Sequence, residues 1–156
     1  MTPVTAVDRV VAALNAGGTD ADVRRFEQPV PTAAAAAAVL GVEVGAIANS
    51  LVFDADGDPL LVLASGAHRV DTGKVAAVIG AQRVRRATPE FVIAATGQEV
   101  GGVAPVGHPT RLRTVVDVDL AAYPLLWAGG GDHYTMIAVT YADLLQVTGG
   151  QEATVS

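Results

Sequence analysis

The chain contains no cysteine and few basic residues. Its 156 residues include ten lysines and arginines against 16 aspartates and glutamates, so the formal net charge is −6. Without cysteine, a disulfide framework, a thiolate zinc site and a cysteine nucleophile are excluded. The acidic balance argues against wrapping a long nucleic acid, because phosphates need a basic face. It leaves room for a protein that holds only a terminal adenosine.

Long apolar runs are also missing, since none approaches the roughly 18 residues that span a bilayer. Residues 1–15 have no cationic start before an unbroken apolar block, so we expect no secretion signal. A hydrophobic content of 51% fits one domain with a substantial core. We therefore expect a cytoplasmic protein with no membrane partner.

Apolar spacing and cap residues predict short helices and strands in mixed order. Helices are predicted over residues 7–14, 33–40, 72–79, 89–96 and 142–147, and strands over 23–27, 49–54, 60–64, 82–86, 114–118 and 133–139. Because helices and strands do not alternate strictly, we expect an α+β (mixed α/β) single domain around one mixed sheet. The domain should cover residues 1–150, with a disordered tail over 151–156.

The most distinctive stretch is Gly101-Gly102-Val103-Ala104-Pro105-Val106-Gly107-His108-Pro109. Glycines let a ligand approach the backbone closely, and prolines stiffen the chain. Converging backbone N–H groups in such a loop suit an anion or a developing oxyanion. A tight surface turn without chemistry would have the same composition.

Four ordered blocks in this chain resemble the YbaK/ProX family, whose members hydrolyse mischarged aminoacyl-tRNA. They are Leu40-Gly41-Val42-Glu43 with residues 47–53 (Ile-Ala-Asn-Ser-Leu-Val-Phe), then Ser65-Gly66-Ala67-His68-Arg69-Val70-Asp71, then the loop over 101–107, and finally Asp143-Leu144-Leu145-Gln146-Val147-Thr148-Gly149. The resemblance implies a mixed, partly closed sheet with short helices packed outside it. It also implies ester hydrolysis without a cofactor.

Carried over residue by residue, the resemblance implies a site with few ionisable groups. The catalytic candidates are Gly101, Gly102, Val103, Ala104, Asn49 and His108, with the amides of Gly101 and Gly102 as oxyanion donors. The substrate-binding candidates are Ser50, Ser65, Gly66, His68, Arg69, Pro105 and His133. The three histidines lack the spacing of a metal-binding motif, so no metal is expected.

Asn49 departs from the family, which has a lysine before Ser-Leu-Val-Phe that is thought to hold the terminal nucleotide. Asparagine keeps hydrogen-bonding capacity but loses the charge and some reach. Either Asn49 bonds the ester or ribose, or Arg69 or Arg111 supplies the cation, or hydrolysis has been lost and a pocket kept. Each of these three readings is compatible with the sequence.

Two further groups of residues, the histidines and an arginine cluster, each allow two interpretations. His108 could act as a general base for water or bond the ribose. His68 is either a pocket residue or an exposed loop histidine, and His133 is a pocket candidate at the start of the last predicted strand. The cluster of Arg83, Arg85 and Arg86 could steer a tRNA acceptor stem or keep an exposed edge soluble. Lys74 is expected on a solvated helix face.

Two functions follow from these observations. The first is a trans-editing hydrolase that deacylates Cys-, Ala- or Ser-charged tRNA-Pro. Its partners would be the tRNA acceptor end and an aminoacyl-tRNA synthetase. The alternative is a non-catalytic module that binds an aminoacyl or nucleotide-like ligand, which the change at Asn49 motivates. Hydrolysis of mischarged tRNA separates the two.

Overall fold

Eight strands form one mixed sheet in the computed structural model, which describes residues 3–156. The strands are β1 (Asp22–Arg25), β2 (Ile47–Ala55), β3 (Asp58–Ser65), β4 (Val84–Arg86), β5 (Arg113–Asp117), β6 (Leu126–Gly129), β7 (Thr135–Val139) and β8 (Gln151–Ala153). Their order is β1-β7-β6-β2-β3-β5-β8, and β4 pairs with β2. The β2–β6, β3–β5 and β5–β8 pairs are parallel, while the other pairs are antiparallel. The predicted mixed single-domain fold is confirmed.

Five short helices pack on this sheet, and a side chain caps the start of each. They are α1 (Ala6–Ala16), α2 (Ala33–Leu40), α3 (Thr72–Ile79), α4 (Pro89–Thr96) and α5 (Tyr141–Thr148), with 3-10 turns at Val44–Ala46 and Val118–Ala122. Thr32, Asp71, Thr88 and Thr140 each accept a backbone N–H in the first turn of the helix that follows. These caps satisfy amides that have no partner within the helix, which explains why the predicted starts were accurate. No helix within the described residues is long and apolar enough to cross a membrane.

The sheet buries apolar side chains on both faces. Leu61 and Leu63 join a large cluster on one face, whereas Leu60 and Val62 face a cluster beneath α3 on the other. A third cluster, beneath α2, shares that second face and includes Trp127. The run over residues 60–64 lacks alternation for this reason.

Two expectations about the fold need correction. Residues 151–156 were expected to be a disordered tail, but β8 pairs in parallel with β5, and Val155 is only 1% exposed. The Tyr141 hydroxyl donates to Glu152 at 2.8 Å and ties α5 to this strand. Burial is the main cause that raises the pKa of Tyr141, and the Glu152 contact adds to it. The last long strand begins at Thr135 rather than at His133, because a turn precedes it.

Candidate active site

Asn49 lies on β2 beside the place where the glycine–proline loop crosses the sheet. The parallel ladder pairs residues 47–48 with residues 127–128, so Asn49 and Gly129 come next in register. Neighbouring strands lie about 4.8 Å apart. A Cβ atom added to Gly129 would lie 2.5 Å from the carbonyl oxygen of Val103. The loop therefore passes directly over Gly129, one strand away from Asn49.

The side chain of Asn49 is half-buried and makes no hydrogen bond to any residue of the described chain. Side chains alternate along a strand, so Asn49 shares a face with Ile47 and Leu51. Ile47 belongs to the cluster beneath α2, and Leu51 packs against the cluster beneath α3. Asn49 thus lies between the areas that the two helices cover. An amide in this position can donate and accept hydrogen bonds to a ligand.

Ser50 was expected to line the same pocket, but strand alternation directs it to the opposite face of the sheet. Its neighbours on that face, Ala48 and Val52, belong to the largest apolar cluster. The Ser50 hydroxyl is buried and has no hydrogen-bond partner among residues 3–156. Asn49 and Ser50 are adjacent in sequence, but their side chains lie on opposite faces of the sheet and cannot both contact a ligand on the Asn49 face.

The glycine–proline loop begins with a tight turn. The Gly102 N–H donates to the Glu99 carbonyl at 2.9 Å, and Gly101 between them has φ +88°. This left-handed position at the third residue of a turn favours glycine. A Cβ on Gly102 would lie 2.9 Å from the carbonyl carbon of Asp132, so the two backbones are in contact. Alanine at Gly102 would therefore displace the loop.

Side chains hold the peptide groups on both sides of Ala104. The Ala104 N–H donates to Gln98 Oε1 at 2.8 Å, and its carbonyl oxygen lies 2.9 Å from His108 Nε2. Gln98 is 3% exposed, and its Nε2 also reaches the Val106 carbonyl at 3.5 Å. The loop conformation is consequently fixed from within the protein. Fixed donors and dipoles are the requirement for stabilising a developing charge.

His108 faces the loop rather than solvent. A carbonyl only accepts, so Nε2 must carry the proton that bonds Ala104. Burial lowers the pKa of His108, which favours the neutral imidazole at pH 7. With Nε2 engaged, only Nδ1 could accept a proton from water. The geometry makes His108 a support for the loop.

His133 supports the start of the same loop. Its Nε2 lies 2.9 Å from the Val100 carbonyl and 3.9 Å from a carboxylate oxygen of Glu99. Within the described chain, its neighbour Asp132 accepts the Tyr134 N–H and pairs with Arg25. Asp132 and His133 therefore do not form a dyad.

The amides of Gly101 and Gly102 were the predicted oxyanion donors, but the Gly102 amide is already engaged, as is that of Ala104. Gly102 and Ala104 donate to Glu99 and Gln98, as described above. The N–H groups of Gly101 and Val103 make no hydrogen bond to any residue between 3 and 156. Pro105 has no N–H and is buried. Gly101 and Val103 are the two that retain donor capacity.

The predicted residues of the loop after β3 form a separate polar cluster. Ser65 is 2% exposed; its hydroxyl donates to the Gly45 carbonyl, and its N–H donates to Asp117 Oδ2. A Cβ on Gly66 would lie 2.5 Å from the Val44 carbonyl oxygen, so the 3-10 turn packs directly on it. These contacts give Ser65 and Gly66 a structural role in joining β3 to the turn before β2.

His68 lies between two carboxylates in that cluster. Its Nδ1 is 2.8 Å from Asp117 Oδ2, and its Nε2 is 3.3 Å from Asp119 Oδ2. Donor atoms of the three side chains lie within 4.8 Å of one another, a spacing that could hold a metal ion. However, the two ring nitrogens face different carboxylates, and one ion can bind only one of them. The arrangement matches a hydrogen-bonded cluster better than a three-ligand site.

The expected alternative cations lie in different places. Arg111 donates to the Val147 carbonyl at the end of α5, at the edge of the sheet where β5 begins. This edge is far from Asn49. Nearby Arg113 pairs with Leu60 on β3, whereas Asn49 pairs with Ala64 on the same strand. The separation of four residues between these two pairings corresponds to about 13 Å along β3. Arg69 is exposed and makes no ion pair within the described residues. The arginines of residues 83–86 lie near the far end of β2, and Arg85 pairs with Asp54 there.

Sequence reasoning missed the residues that hold the candidate site in place. Gln98 and Thr96 brace the loop, Asp117 organises the cluster after β3, and Arg25 and Asp132 lie at the rim. Asp117 could have been found, because a carboxylate at the end of a β-branched strand needs buried partners. Gln98 carried no comparable signal, since a glutamine before a glycine-rich turn is ordinary in composition.

Residues 27–147 match the aminoacyl-tRNA editing domain family. With the sheet, the loop and Asn49 in the positions described, the chain belongs to this class of proteins. YwhH of Bacillus subtilis, an uncharacterised protein, is 32% identical over 124 residues that cover 79% of this chain and 78% of that protein. The chain is similar to the YbaK/ProX proteins, as the motifs indicated.

Two further similarities concern proline. The proline–tRNA ligase of Nitratidesulfovibrio vulgaris (strain DP4) is 33% identical over 135 residues, which are 78% of this chain but 24% of the ligase. This chain thus spans about a quarter of the length of that relative. A solved structure of a candidate trans-editing enzyme for prolyl-tRNA synthetase has a TM-score of 0.90 and 39% identity, with 100% of this chain and 98% of that chain covered.

Proposed function

We propose that this protein is a trans-editing hydrolase that removes the amino acid from mischarged tRNA-Pro. The observation that supports this most is the half-buried Asn49 amide, without a partner in the described chain, beside a loop that crosses Gly129. Family membership supports the reaction class, and the similarity to proline–tRNA ligases favours tRNA-Pro. Cys-, Ala- and Ser-tRNA-Pro are the substrates we propose.

The reaction is the hydrolysis of an ester between the amino acid and the terminal ribose. Water attacks the carbonyl carbon, negative charge develops on the carbonyl oxygen, and the ribose hydroxyl leaves with a proton as the free acid forms. In this proposal the Gly101 and Val103 amides donate to that oxygen. Loss of one such donor typically costs on the order of 10²–10³ in rate. Asn49 bonds the ester or the terminal ribose from the sheet.

This proposal needs little from ionisable side chains. His108 holds the Ala104 carbonyl, so its contribution is to fix the loop rather than to transfer a proton. His133 performs the same task at Val100. The attacking water is instead activated by position, next to a carbonyl polarised by fixed amides. We propose that the protein acts in the cytoplasm, with an aminoacyl-tRNA synthetase and the tRNA acceptor end as partners.

Variants at Asn49 test the proposal. Asn49→Ala should reduce hydrolysis of the preferred mischarged tRNA by at least tenfold, the size of one lost hydrogen bond to substrate. Thr19→Val is a control that removes a different buried polar group with no partner in the described chain. Full activity of Asn49→Ala in a folded protein would refute the role of Asn49.

A non-catalytic binding module is the second candidate, favoured by asparagine at the position where the family has lysine. Asn49→Lys distinguishes the two functions. If the protein is a hydrolase built around asparagine, the lysine should lower an existing activity. A gain of hydrolysis from an inactive wild type would favour the binding module.

A further inference from the structure

Half of the cationic side chains of this protein are held by a hydrogen bond with another residue of the described chain. Contacts with carbonyl groups or carboxylates hold five of the ten: Arg9 with Val4, Lys74 with Ser156, Arg85 with Asp54, Arg111 with Val147 and Arg113 with Ile79. Arg83 precedes β4 and Arg86 is its last residue, and both lie away from Asn49. A negatively charged ligand at the loop can therefore draw on few cations.

Recorded contacts join Arg25 to the loop, whereas its neighbour Arg24 lies over the Trp127 ring, 5.2 Å from its centre. The Arg25 Nη1 lies 3.8 Å from Asp132 Oδ2, and the Asp132 backbone is in contact with Gly102. The Arg25 guanidinium also lies over the Tyr134 ring, 5.8 Å from its centre. The Arg25 side chain is 71% exposed, and Tyr134 is 38% exposed. A cation and an aromatic ring are thus both open to solvent at the rim of the candidate site.

The chain that follows β1 keeps this pair in place beside the loop. The Phe26 N–H donates to the Tyr134 carbonyl at 2.8 Å, and the Val30 N–H donates to the His133 carbonyl at 2.7 Å. His133 in turn bonds Val100 at the start of the loop. Two backbone hydrogen bonds and the His133 side chain consequently tie the backbone beside Arg25 and Tyr134 to the start of the loop.

We propose that Arg25 and Tyr134 form the docking point for the unpaired 3′ end of the RNA substrate. Arg25 binds a backbone phosphate, and Tyr134 offers its ring to the adjacent base, as aromatic side chains do for single-stranded RNA. This proposal rests on the proposed function for the identity of the RNA. It places a phosphate-binding cation at the rim, whereas the family's lysine position on β2 is neutral Asn49.

Asp132 and Glu99 are the carboxylates at the same rim, and Asp132 competes with phosphate for Arg25. Asparagine at Asp132 can still accept the Tyr134 N–H through its side-chain oxygen. Asp132→Asn therefore removes the competing charge and keeps the local hydrogen bond. Arg25→Gln and Asp132→Asn should change RNA affinity in opposite directions.

The test measures binding of a fluorescein-labelled acceptor-stem hairpin of tRNA-Pro ending in CCA, by anisotropy over a range of salt concentrations. Arg25→Gln should weaken binding about tenfold at low salt and reduce the salt slope by about 1, the effect of one phosphate contact. Tyr134→Leu should weaken binding without changing the slope. Asp132→Asn should tighten binding.

Two controls make the same charge changes elsewhere. Arg86→Gln on β4 and Asp58→Asn at the start of β3 alter exposed residues far from the loop, and neither should change affinity by more than about twofold. A hairpin without its three unpaired 3′ nucleotides should bind wild type and Arg25→Gln equally. The proposal is overturned if Arg25→Gln changes affinity no more than Arg86→Gln does. It is also overturned if Arg25→Gln weakens binding of the complete and the shortened hairpin equally, or if wild type binds neither hairpin.

Binding and hydrolysis are read out separately, so the two proposals can fail independently. A wild type that binds the hairpin through Arg25 but releases no amino acid would refute the hydrolase and leave this docking point standing. If wild type hydrolyses mischarged tRNA while Arg25→Gln retains full affinity for the hairpin, the docking point is refuted and the hydrolase proposal stands.

Discussion

Replacing Gln98 with leucine tests whether the loop is held from within the protein. Leucine removes the acceptor of the Ala104 N–H and the donor to the Val106 carbonyl. Ala104 is fully buried and Gln98 is 3% exposed, so water cannot substitute for either group. The Thr96 hydroxyl donates to the Gln98 carbonyl and accepts the Gln98 N–H; both contacts use only main-chain atoms of Gln98, so they survive the change.

The magnitude follows from these contacts. A buried N–H left without an acceptor costs about 1–3 kcal/mol. The contact with Val106 is at the 3.5 Å limit and adds little. Gln98→Leu should therefore lower the free energy of unfolding by about 1–3 kcal/mol, and Tm by about 2–4 °C per kcal/mol for a chain of this size. The rate of hydrolysis should fall by more than the loss of folded protein accounts for, and the additional decrease should appear in kcat.

Urea denaturation followed by fluorescence of Trp127 measures this change, because Trp127 is the single tryptophan and is buried. Gln146→Leu is the matched control, since Gln146 makes a comparable bond, to the Gly17 carbonyl at 2.8 Å, from an exposed position. That control should change the free energy of unfolding by less than about 0.5 kcal/mol. Equal stability of Gln98→Leu and Gln146→Leu would refute the reasoning.

Three other predictions concern stability. Burial lowers the pKa of His108 below its ordinary 6.5, so the unfolded state binds the proton more tightly than the folded state does. The free energy of unfolding should therefore fall as pH drops below 6.5. His108→Gln should remove this pH dependence in acid denaturation. Asp117→Ala should cost about 1–3 kcal/mol in chemical denaturation, since it leaves the buried Ser65 N–H without an acceptor. Asp119→Ala, at a 61% exposed side chain, should cost less than about 0.5 kcal/mol. Deleting residues 151–156 should cost at least about 2 kcal/mol through the loss of buried Val155, and unchanged Tm would contradict the observed β8 pairing.

Local signals in the sequence were sufficient to predict most elements of this fold. Thr32 and Gly41 enclose α2 as expected, because a side-chain acceptor begins the helix and a left-handed glycine ends it. The hairpin of β2 and β3 follows from two apolar runs around Gly57. By contrast, β8 depends on pairing with β5, and no local pattern in residues 151–156 encodes that pairing.

The candidate site divides in the same way. The sequence identified the loop and Asn49 by resemblance, and the structure places both beside Gly129. It could not show that the Gly102 amide is engaged by Glu99, because that bond depends on the turn the chain adopts. Nor could it show that His108 points at Ala104, since a histidine after a loop can face either way.

Hydrolysis of a panel of mischarged tRNAs by the purified protein tests the central proposal most directly. The panel contains Cys-, Ala- and Ser-charged tRNA-Pro, with Pro-tRNA-Pro as the correctly charged control. We predict release of at least one of the three wrong amino acids well above the buffer rate, with Pro-tRNA-Pro spared. Release no faster than in buffer for every member, from a protein shown to be folded, would contradict the proposal that this chain is an editing hydrolase.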